Sequence, residues 1–549
     1  MPTPTRGSGT SPGRKASACT PRSCLSQNRG VSASGHPSRP AWWVAGVVAG
    51  GAGLAASYFA AMVMSIRESP VVAVAELIIK LTPGPIAEKA ISIVGQRDKP
   101  LLVTGILVGL ALVFALTGGL ARRSWWLTMV GVGSVSLLGG VAVVVQHGSE
   151  STDLIPVVVG FVAWVVCLSV LTESLRSGER DASVSGTATG PDQPGGLPRR
   201  GFLVGAGLVA AASVGVAVLG RVIGRGRRQV EAARRLLRLQ GVSAPEPPPG
   251  VSLDVAGITS WQTPNDDFYL IHTVLIPPAI DPKDWRLRIH GMVEREVVLT
   301  YEDLMDRELT EGWVTLNCVS NPVGGDLIGN AWWSGVRTAD LLAEAGVKDG
   351  ADAVLQTSDD GWTCGTPVAA LTDDRNAMLA VGMNGEALPI EHGFPVRTLV
   401  PGLYGFVSAC KWVVDWEVTS FSEFSAFWTD RGWSEQAPVK IASRIDVPRD
   451  GDEVDAGDVR VGGMAWAQHT GIGAVEVSVD GGAWQPAEIA SATNIDSWVQ
   501  WTANVAVEKG NHILRVRATD SDGLVQTGAV ADVIPDGATG WHQVSVQVT

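Results

Sequence analysis

Cysteine is scarce in this chain, which contains six cysteines among 549 residues. That number excludes a disulfide-stapled scaffold, and the composition also excludes low-complexity and collagen-like proteins. Basic residues are scarce in one half of the chain, because residues 241–549 contain 18 Lys and Arg against 44 Asp and Glu. Nucleic-acid binding requires a cationic surface, so no nucleic-acid partner is expected for this half.

Charge is missing from long stretches of the first half, although residues 1–240 are basic overall, with 24 Lys and Arg against 11 Asp and Glu. Five apolar runs contain few or no charged residues, and each is close to the roughly 20 residues needed to cross a bilayer. The runs are 41–66, 101–121, 125–146, 154–175 and 201–220. The stretch 69–95 contains charges and a Pro-Gly-Pro break, and it is expected to form two short helices at the membrane surface. The first half is therefore predicted to be an all-α transmembrane anchor.

The predicted domain boundaries follow from these runs and from shifts in composition. Residues 1–40 have no acidic residue and no apolar periodicity, which is typical of a disordered tail. Prolines at 245 and 247–249 indicate a stiff extended linker. The predicted units are 1–40 (disordered basic tail), 41–175 (four transmembrane helices), 176–200 (cytoplasmic linker), 201–221 (fifth transmembrane helix), 222–250 (linker), 251–435 (mixed α+β domain) and 436–549 (β-sandwich).

Basic residues flank the runs unevenly, and this asymmetry predicts the orientation of the anchor. Arg122–Arg123 and the 176–200 segment are basic, as is the tail, whereas the 147–153 connection has no Lys or Arg. A cytoplasmic N-terminus accounts for this pattern, and five spans then place the C-terminal half outside the cytoplasm. The 67–100 loop and the seven arginines within Arg221–Arg238 oppose this orientation.

The fifth run is preceded by Arg199-Arg200-Gly201-Phe202-Leu203, which resembles the RRxFL core of a twin-arginine signal. Such signals place a basic pair before a weakly hydrophobic, Gly/Ala-rich segment, and they export proteins that have already folded, often around a cofactor. The alternative is two ordinary cytoplasmic arginines beside a membrane span. Export is the favoured interpretation, because the Phe-Leu pair and the weak hydrophobicity also fit.

Histidine is absent from all five runs. A haem within the membrane would need axial ligands there, so electron transfer through a haem in these spans is not expected. Other ionisable residues are almost absent from the runs, whereas transport pathways usually contain some. A transporter is therefore a weak alternative.

Residues 251–435 alternate β-rich segments such as WRLRIHG (285–291) with helical ones such as TADLLAEAG (338–346), which predicts a mixed α+β domain. Four segments, in order along the chain, resemble the molybdopterin-binding domain of the sulfite oxidase family. They are NDDFYLIHTVLIPPAIDPKDWRLRIHG (265–291), VTLNCVSNPVGGDLIGNAWWSGV (314–336), DGWTCGTPV (360–368) and MNGEALPIEHGFPVRTLVPGLYGFVSACKW (383–412). With the C-terminal region the resemblance covers about 265–549. It implies molybdopterin as the cofactor, in a membrane-anchored bacterial branch of the family.

Cys318 ends an apolar β-like run and is followed by a Gly-rich loop. A thiolate is a soft ligand suited to a transition metal, and glycines let the backbone approach a bulky cofactor closely. On its own, a buried Cys after a strand more often serves packing. Cys318 falls where the molybdenum-ligating cysteine of the family lies, so the resemblance implies that it is the metal ligand and the catalytic residue.

The resemblance also implies the contacts of the anionic pterin phosphate. His392, Arg397 and Lys411 correspond to pterin contacts of the family, and Arg can bind phosphate with two donors while Lys adds a point charge. Ser408 lies in the same segment beside a Pro-Gly turn. The remaining predicted cofactor contacts are Tyr269, His272 and Thr273 in the first segment and Asp360 in the third. The alternative for Arg397 and Lys411 is two ordinary charges at strand ends.

The chain departs from sulfite oxidases proper where their arginines contact the substrate. It has Ile271-His272-Thr273 in place of an Arg-Asn-His run, and Ala331-Trp332 in place of an arginine pair. Sulfite is a small dianion that needs cationic donors at the metal. Sulfite is therefore not the expected substrate, and Trp332 and Trp333 are predicted to line a less polar pocket that accepts a neutral or larger molecule.

The last part of the chain alternates apolar and polar residues, as in Val475-Glu476-Val477-Ser478-Val479. Such alternation, with turn signals every 8–12 residues, predicts an immunoglobulin-like β-sandwich. No Cys follows Cys410, so no disulfide links its sheets. The resemblance implies that this domain mediates a homodimer. Cys364 and Cys410 can be a disulfide or two free thiols, and free thiols are favoured.

The expected function is that of a membrane-integrated, extracytoplasmic molybdopterin oxidoreductase that transfers an oxygen atom at a Cys-ligated mononuclear molybdenum centre. Its partners would be a small-molecule oxo donor or acceptor and an electron-transfer partner that the sequence does not identify. The alternative is a surface binding or sensor protein on the same fold that has lost its chemistry. The missing arginines motivate this alternative, whereas the retained Cys318, Arg397 and Lys411 argue against it.

Overall fold

The computed structural model describes residues 39–64, 66, 69–84, 86, 98–146, 149–185, 197–223, 226–237 and 239–549. Most of the predicted basic tail lies outside these residues. So does the stretch 87–95, where the second of the two predicted surface helices would fall.

The described part of the first half is entirely helical in its regular structure. Its helices are α1 (Arg39–Val63), α2 (Pro70–Leu81), α3 (Asp98–Ala121), α4 (Trp125–Val144), α5 (Ile155–Ser185), α6 (Leu197–Ile223) and α7 (Gly226–Leu236). Five of them (α1 and α3–α6) are long and apolar enough to cross a membrane, and they coincide with the five predicted runs. α2 is the first of the two predicted short helices.

Small residues let the apolar helices pack closely, as in other membrane bundles. α1 lies at the centre and packs against α3, α5 and α6. At its crossing with α3, a Cβ added to Gly46 would lie 2.0 Å from the carbonyl oxygen of Phe114, so only glycine fits at that point. Helix contact thus explains the glycine at this crossing.

Helix α7 falls within the predicted linker 222–250, so part of that segment is regular structure. Glu231 pairs with Arg234 and Arg235 at helical spacing, which stabilises the helix. Val230 is buried against the α+β domain, and Arg234 donates a hydrogen bond to the carbonyl of Ala387 at 3.1 Å. The linker is therefore packed onto the domain that follows it.

The α+β domain contains two five-stranded sheets. The strands are β1 (Arg286–Gly291), β2 (Val297–Thr300), β3 (Thr310–Asn317), β4 (Ile328–Arg337), β5 (Ala353–Ser358), β6 (Thr363–Pro367), β7 (Met378–Met383), β8 (Glu386–Ala387), β9 (Arg397–Leu399) and β10 (Val413–Thr419). One sheet has the order β2-β1-β10-β5-β6, with β1 and β10 parallel. The other has the order β3-β4-β7-β8, with β9 paired to β7.

Short helices and one shared core complete this domain. The helices are α8 (Tyr301–Met305), α9 (Thr338–Ala345), α10 (Val368–Thr372) and α11 (Gly405–Ser408). The main core contains Ile289 and Trp416 of the first sheet together with Leu379 of the second, so the sheets enclose it jointly. The predicted strand at 285–291 and helix at 338–346 are confirmed.

The last domain consists of two further sheets, which have the orders β11-β13-β17-β16 and β12-β19-β18-β14-β15. The strands are β11 (Ala442–Val447), β12 (Glu453–Val454), β13 (Gly457–Trp466), β14 (Ile472–Val479), β15 (Gln485–Pro486), β16 (Glu488–Ile489), β17 (Val499–Val507), β18 (Gly510–Asp520) and β19 (His542–Val548). Val477 and Val516 are completely buried between the sheets, opposite Trp501. The predicted alternation in 475–479 is therefore confirmed, because the apolar side chains face this core.

Candidate functional site

A pocket with an empty volume of about 840 Å³, partly open to solvent, lies in the α+β domain at the end of β3. It is bounded by the irregular segment 268–273, the β3–β4 loop, the β5–β6 turn and the segment leading into β10. Seven of the nine predicted site residues line it: Tyr269, His272, Thr273, Cys318, Asp360, Arg397 and Lys411. Segments far apart in the sequence therefore meet at one cavity.

Cys318 directly follows β3 and is 8% exposed. Its backbone N–H donates to the carbonyl of Leu327 at 3.0 Å, and its carbonyl accepts from the N–H of Asn321 at 3.1 Å. The Asn321 side chain in turn accepts from the N–H of Leu327 at 3.0 Å. These bonds close the loop after the strand and hold the thiol at the pocket wall.

Arg397 begins β9 and is 2% exposed. One of its terminal nitrogens donates to the carbonyl of His392 at 3.1 Å, and its guanidinium lies 5.2 Å from the ring centre of Trp333. Its Nε makes no hydrogen bond within the described chain. Burial lowers the pKa of Arg397 to about 10, because a charged group is costly away from water. An anion in the pocket would remove that penalty.

Lys411 is the second cation of the pocket. Its ammonium donates to the carbonyl of Glu391 at 2.8 Å, and its pKa lies well below the ordinary range because of burial and the nearby Arg397. Gly393 has a φ of 112°, and an added Cβ would lie 2.9 Å from the Cβ of Arg397 and 3.2 Å from the Cα of Lys411. This glycine therefore lets the two cationic segments approach each other. Within the described residues neither cation forms an ion pair with a carboxylate, although Asp360 and Glu391 act on Lys411 at longer range.

His392 and Ser408 are buried but are not among the lining residues. The Nε2 of His392 lies 3.1 Å from the carbonyl oxygen of Asn265, and burial together with Lys411 and Arg397 lowers the pKa of this imidazole to about 3. A neutral His392 therefore donates from Nε2, while its own carbonyl accepts from Arg397. The Ser408 hydroxyl lies 3.0 Å from the carbonyls of both Leu403 and Tyr404, so it serves the fold of α11.

The first predicted segment forms one wall. Tyr269 stacks on Phe268 with ring centres 5.3 Å apart, and Phe268 contacts His392 edge to face at 5.6 Å. The pKa of Tyr269 is raised well above its ordinary value, mainly by burial, so the phenol keeps its proton and can donate. Asp360, in the β5–β6 turn, accepts from the N–H of Trp362 at 3.0 Å.

The prediction that Trp332 and Trp333 line the pocket is wrong. Adjacent residues on a strand point to opposite faces, and both of these side chains are used for packing. Trp333 is completely buried, with its N–H donated to the carbonyl of Val314 at 3.1 Å. Trp332 lies against Trp313 at 5.3 Å between ring centres.

Four other aromatic side chains line the pocket where Trp332 and Trp333 were predicted to do so. We call these four side chains the aromatic wall: Trp362, Phe406, Trp428 and Trp433. Trp433 contacts Phe406 at 5.7 Å and Trp428 at 6.3 Å between ring centres. The run 421–433, which contains three Phe and two Trp, was the available signal in the sequence for part of this wall.

Cys364 and Cys410 are free thiols, as favoured from the sequence, and both are buried. Burial and a hydrogen bond with Cys364 raise the pKa of Cys410 well above its ordinary value. A buried thiol with a raised pKa is a poor nucleophile and a poor ligand. Of these cysteines and Cys318, only Cys318 lines the pocket.

One other group within the described residues has metal-ligand spacing, namely Asp373, Asp374 and His469. None of the three lines the pocket, and Arg375 already pairs with Asp373 at 2.9 Å. Cys318 is therefore the side chain best suited to hold a metal in the pocket.

Comparison with known proteins agrees with this geometry. The family described as "oxidoreductase molybdopterin binding domain" matches residues 273–428. The uncharacterized oxidoreductase YuiH of Bacillus subtilis (strain 168) is 33% identical over 172 residues, which cover 31% of this chain and 83% of that protein. The mitochondrial sulfite oxidase of Mus musculus is 30% identical over 357 residues, which cover 55% of this chain and 64% of that protein.

Among solved structures, the sulfane dehydrogenase SoxCD from Paracoccus pantotrophus is 25% identical, with a TM-score of 0.46. The match covers 53% of this chain and 82% of that chain. The present chain thus spans less than two thirds of the length of the mouse sulfite oxidase, and its identity to YuiH extends over most of the smaller protein. The predicted cofactor class and family are confirmed: the chain belongs to the sulfite-oxidase-like family of molybdopterin-dependent oxidoreductases.

Proposed function

We propose that this chain is an oxidoreductase that performs oxygen-atom transfer at a mononuclear molybdenum centre ligated by Cys318. One observation carries the proposal: buried Arg397 and partly buried Lys411, which have no ion pair among the described residues, share a pocket with a buried thiol. Buried charges normally have partners, so this pocket fits an anionic group such as a pterin phosphate. The thiolate suits a soft transition metal.

The side chains have separate tasks in this proposal. Arg397 and Lys411 bind the phosphate, and the phenol of Tyr269, which keeps its proton, adds a donor. Neutral His392 contributes through Arg397, because its carbonyl orients the guanidinium. His272, Thr273 and Asp360 complete the polar lining. Bound there, the molybdenum centre would supply two-electron chemistry that exchanges an oxygen atom between water and substrate.

Metal content tests the proposal. The full chain, purified from a host that makes molybdopterin, should contain about one molybdenum per chain, and Cys318→Ser should contain almost none. Cys364→Ser is the matched control, because Cys364 is also a buried thiol but does not line the pocket. Metal-free wild-type protein from such a host would contradict the proposal.

The substrate is proposed to be neutral or larger than sulfite. The described lining contains the cations Arg397 and Lys411 and, beside them, the four side chains of the aromatic wall. A small dianion would find few donors beside that wall, whereas an apolar group would pack against it. Turnover of the full chain with artificial electron donors and acceptors should show a preference for such oxo donors or acceptors. Efficient sulfite oxidation would contradict this assignment.

The five long apolar helices support a multi-pass membrane location, with the N-terminus in the cytoplasm and the catalytic half outside. The segment beginning at Arg199-Arg200 would act as a twin-arginine export signal. Reporter fusions at the termini test the topology, and Lys substitutions at both arginines should retain the catalytic half inside. Normal export of that variant would contradict the signal.

The two C-terminal sheets are proposed to be an immunoglobulin-like domain that mediates a homodimer. The facing sheets and their shared core support the sandwich, and the family resemblance supports its role in assembly. Mass measurement of the solubilised full chain should give twice the chain mass. A monomer at micromolar concentration would contradict the dimer.

A further inference from the structure

The segment between the first two long apolar helices contacts the walls of the pocket. At one side, the ammonium of Lys99, near the start of α3, contacts residues 272–274. Nearby, Glu76 of α2 is 5% exposed and accepts a hydrogen bond from the N–H of Leu275 at 3.3 Å. At the other side, Arg431 donates to the carbonyl of Lys80, and Arg431 lies between Trp428 and Trp433 of the aromatic wall. The predicted anchor therefore touches both walls.

Lys99 makes the most specific of these contacts. Its Nζ lies 2.7 Å from the carbonyl oxygen of His272, 3.0 Å from that of Val274 and 2.8 Å from Nδ1 of the His272 ring. An ammonium has three N–H donors and no acceptor, so it can donate to all three of these atoms. The turn at 272–274 therefore wraps around the ammonium of Lys99, which is 173 positions from His272 in the sequence.

The contact with Lys99 bears on the tautomer of His272. Nδ1 lies 2.8 Å from the carbonyl oxygen of Val274 as well, and that contact alone would favour the tautomer with its proton on Nδ1. An ammonium can only donate, so the contact with Lys99 is a hydrogen bond only when Nδ1 accepts and the ring proton is on Nε2. His272 lines the pocket, and this tautomer makes its Nε2 a donor, which suits an anionic ligand.

We infer that Lys99 is a positioning residue of the cofactor site, which sets the tautomer and orientation of His272 from within the predicted membrane anchor. This inference rests on the proposed function, because it assigns the anion to the pterin cofactor. The charge of Lys99 also makes the potential in the pocket more positive, which favours an anion. This charge contributes, after burial and Arg397, to the lowered pKa of Lys411. The anchor is therefore part of the cofactor site as well as a tether.

The experiment compares Lys99→Met with Lys99→Arg in the full chain. Lys80→Met is the matched control, because Lys80 belongs to the same segment, but its ammonium binds Gln146 at 2.6 Å rather than a wall of the pocket. The first measurement is the ¹⁵N chemical shift of the His272 ring in detergent-solubilised, histidine-labelled protein at pH 8, assigned with His272→Gln. Lys99→Met should move the proton from Nε2 to Nδ1, whereas wild type and Lys80→Met should keep it on Nε2.

The second measurement is the rate at which molybdenum is lost during dilution. Loss should be about tenfold faster in Lys99→Met, since a charge-supported contact of this kind contributes roughly a tenfold factor. In Lys99→Arg and Lys80→Met the rate should stay within about twofold of wild type. If Lys99→Met fails to accumulate, Lys99→Gln replaces it, because the shorter amide cannot reach all three acceptors and should also lose the metal faster.

The outcomes separate this inference from the proposed function. Wild-type ring shifts and wild-type metal retention in Lys99→Met would overturn the role of Lys99 while leaving the molybdenum centre intact. Wild-type protein without molybdenum would instead overturn the proposed function, and this inference with it. A shifted tautomer together with faster loss in Lys99→Met alone supports both.

Discussion

The pocket lining contains two kinds of side chain. Arg397, which is buried, and Lys411, which is partly buried, are cations without ion pairs among the described residues, and the aromatic wall is apolar. A cofactor phosphate needs fixed charges, whereas a substrate near the aromatic wall is recognised by shape and apolar contact. Substitutions of the two kinds should therefore have different effects: the cations should control cofactor retention, and the aromatic wall should control substrate recognition.

The largest effect is expected at Arg397. Arg397→Met removes a charge-assisted contact to the phosphate, which should weaken cofactor binding about a hundredfold. In cofactor-free protein the same change removes an unneutralised buried charge, so the free energy of unfolding should rise by about 1–2 kcal/mol. Molybdenum retention tests the expected loss of cofactor binding, and urea unfolding tests the expected gain in stability. A cofactor-free variant that is less stable than wild type would contradict this account of Arg397.

The next effect concerns acid stability. The pKa of His392 is about 3 in the folded chain against an ordinary value of 6.5, so the unfolded chain binds the proton more tightly. The stability contributed by His392 is therefore complete above pH 6.5 and is lost progressively as the pH falls toward 3. Between pH 7 and 5, cofactor-free wild type should lose about 2 kcal/mol more than His392→Gln. If urea unfolding shows that wild type and His392→Gln lose equal free energy of unfolding, His392 is not buried as described.

A smaller effect is expected at the aromatic wall. Trp362→Ala should leave the molybdenum content unchanged and raise the KM of the best substrate by up to about tenfold, since an apolar contact of this size contributes roughly 1–3 kcal/mol. The kcat should change less than the KM. A loss of metal in this variant would show that the aromatic wall and the cations are not independent.

The smallest effect is expected at the buried thiols. Cys364→Ala removes a weak thiol hydrogen bond with Cys410, so the free energy of unfolding should fall by about 1 kcal/mol or less, with unchanged metal content. Thiol labelling of denatured wild-type protein should find both cysteines reactive without prior reduction. Labelling that requires a reductant would show that the pair is a disulfide in the purified protein.

Local patterns in the sequence predicted much of the fold. The five apolar runs became five long helices because a bilayer-length run without charges has few other stable forms. Alternation in 475–479 identified a strand that faces a core. Helix α7 was not predicted, because its basic sequence is typical of a linker and it becomes a helix through contact with the domain that follows.

The candidate site was predictable where it depends on ordered motifs and was not where it depends on packing. The resemblance placed Cys318, Arg397 and Lys411 in one pocket because their segments match in order. It could not tell which face of β4 presents Trp332 or Trp333, since neighbouring side chains alternate and both faces are covered. Lys99 could not be found at all, because no local pattern links it to a turn 173 residues away.

The unneutralised cations of the pocket bear on the order in which the protein is assembled. Without an anion, Arg397 and Lys411 reduce the stability of the chain, and a tightly bound phosphate would restore it by mass action. Each tenfold excess of cofactor over its dissociation constant adds about 1.4 kcal/mol to the folded state. Chains without cofactor would then be the least stable and the most readily degraded. If the proposed twin-arginine route is used, which accepts only folded cargo, it would carry loaded molecules preferentially, and the electrostatics of the pocket would then provide quality control before export.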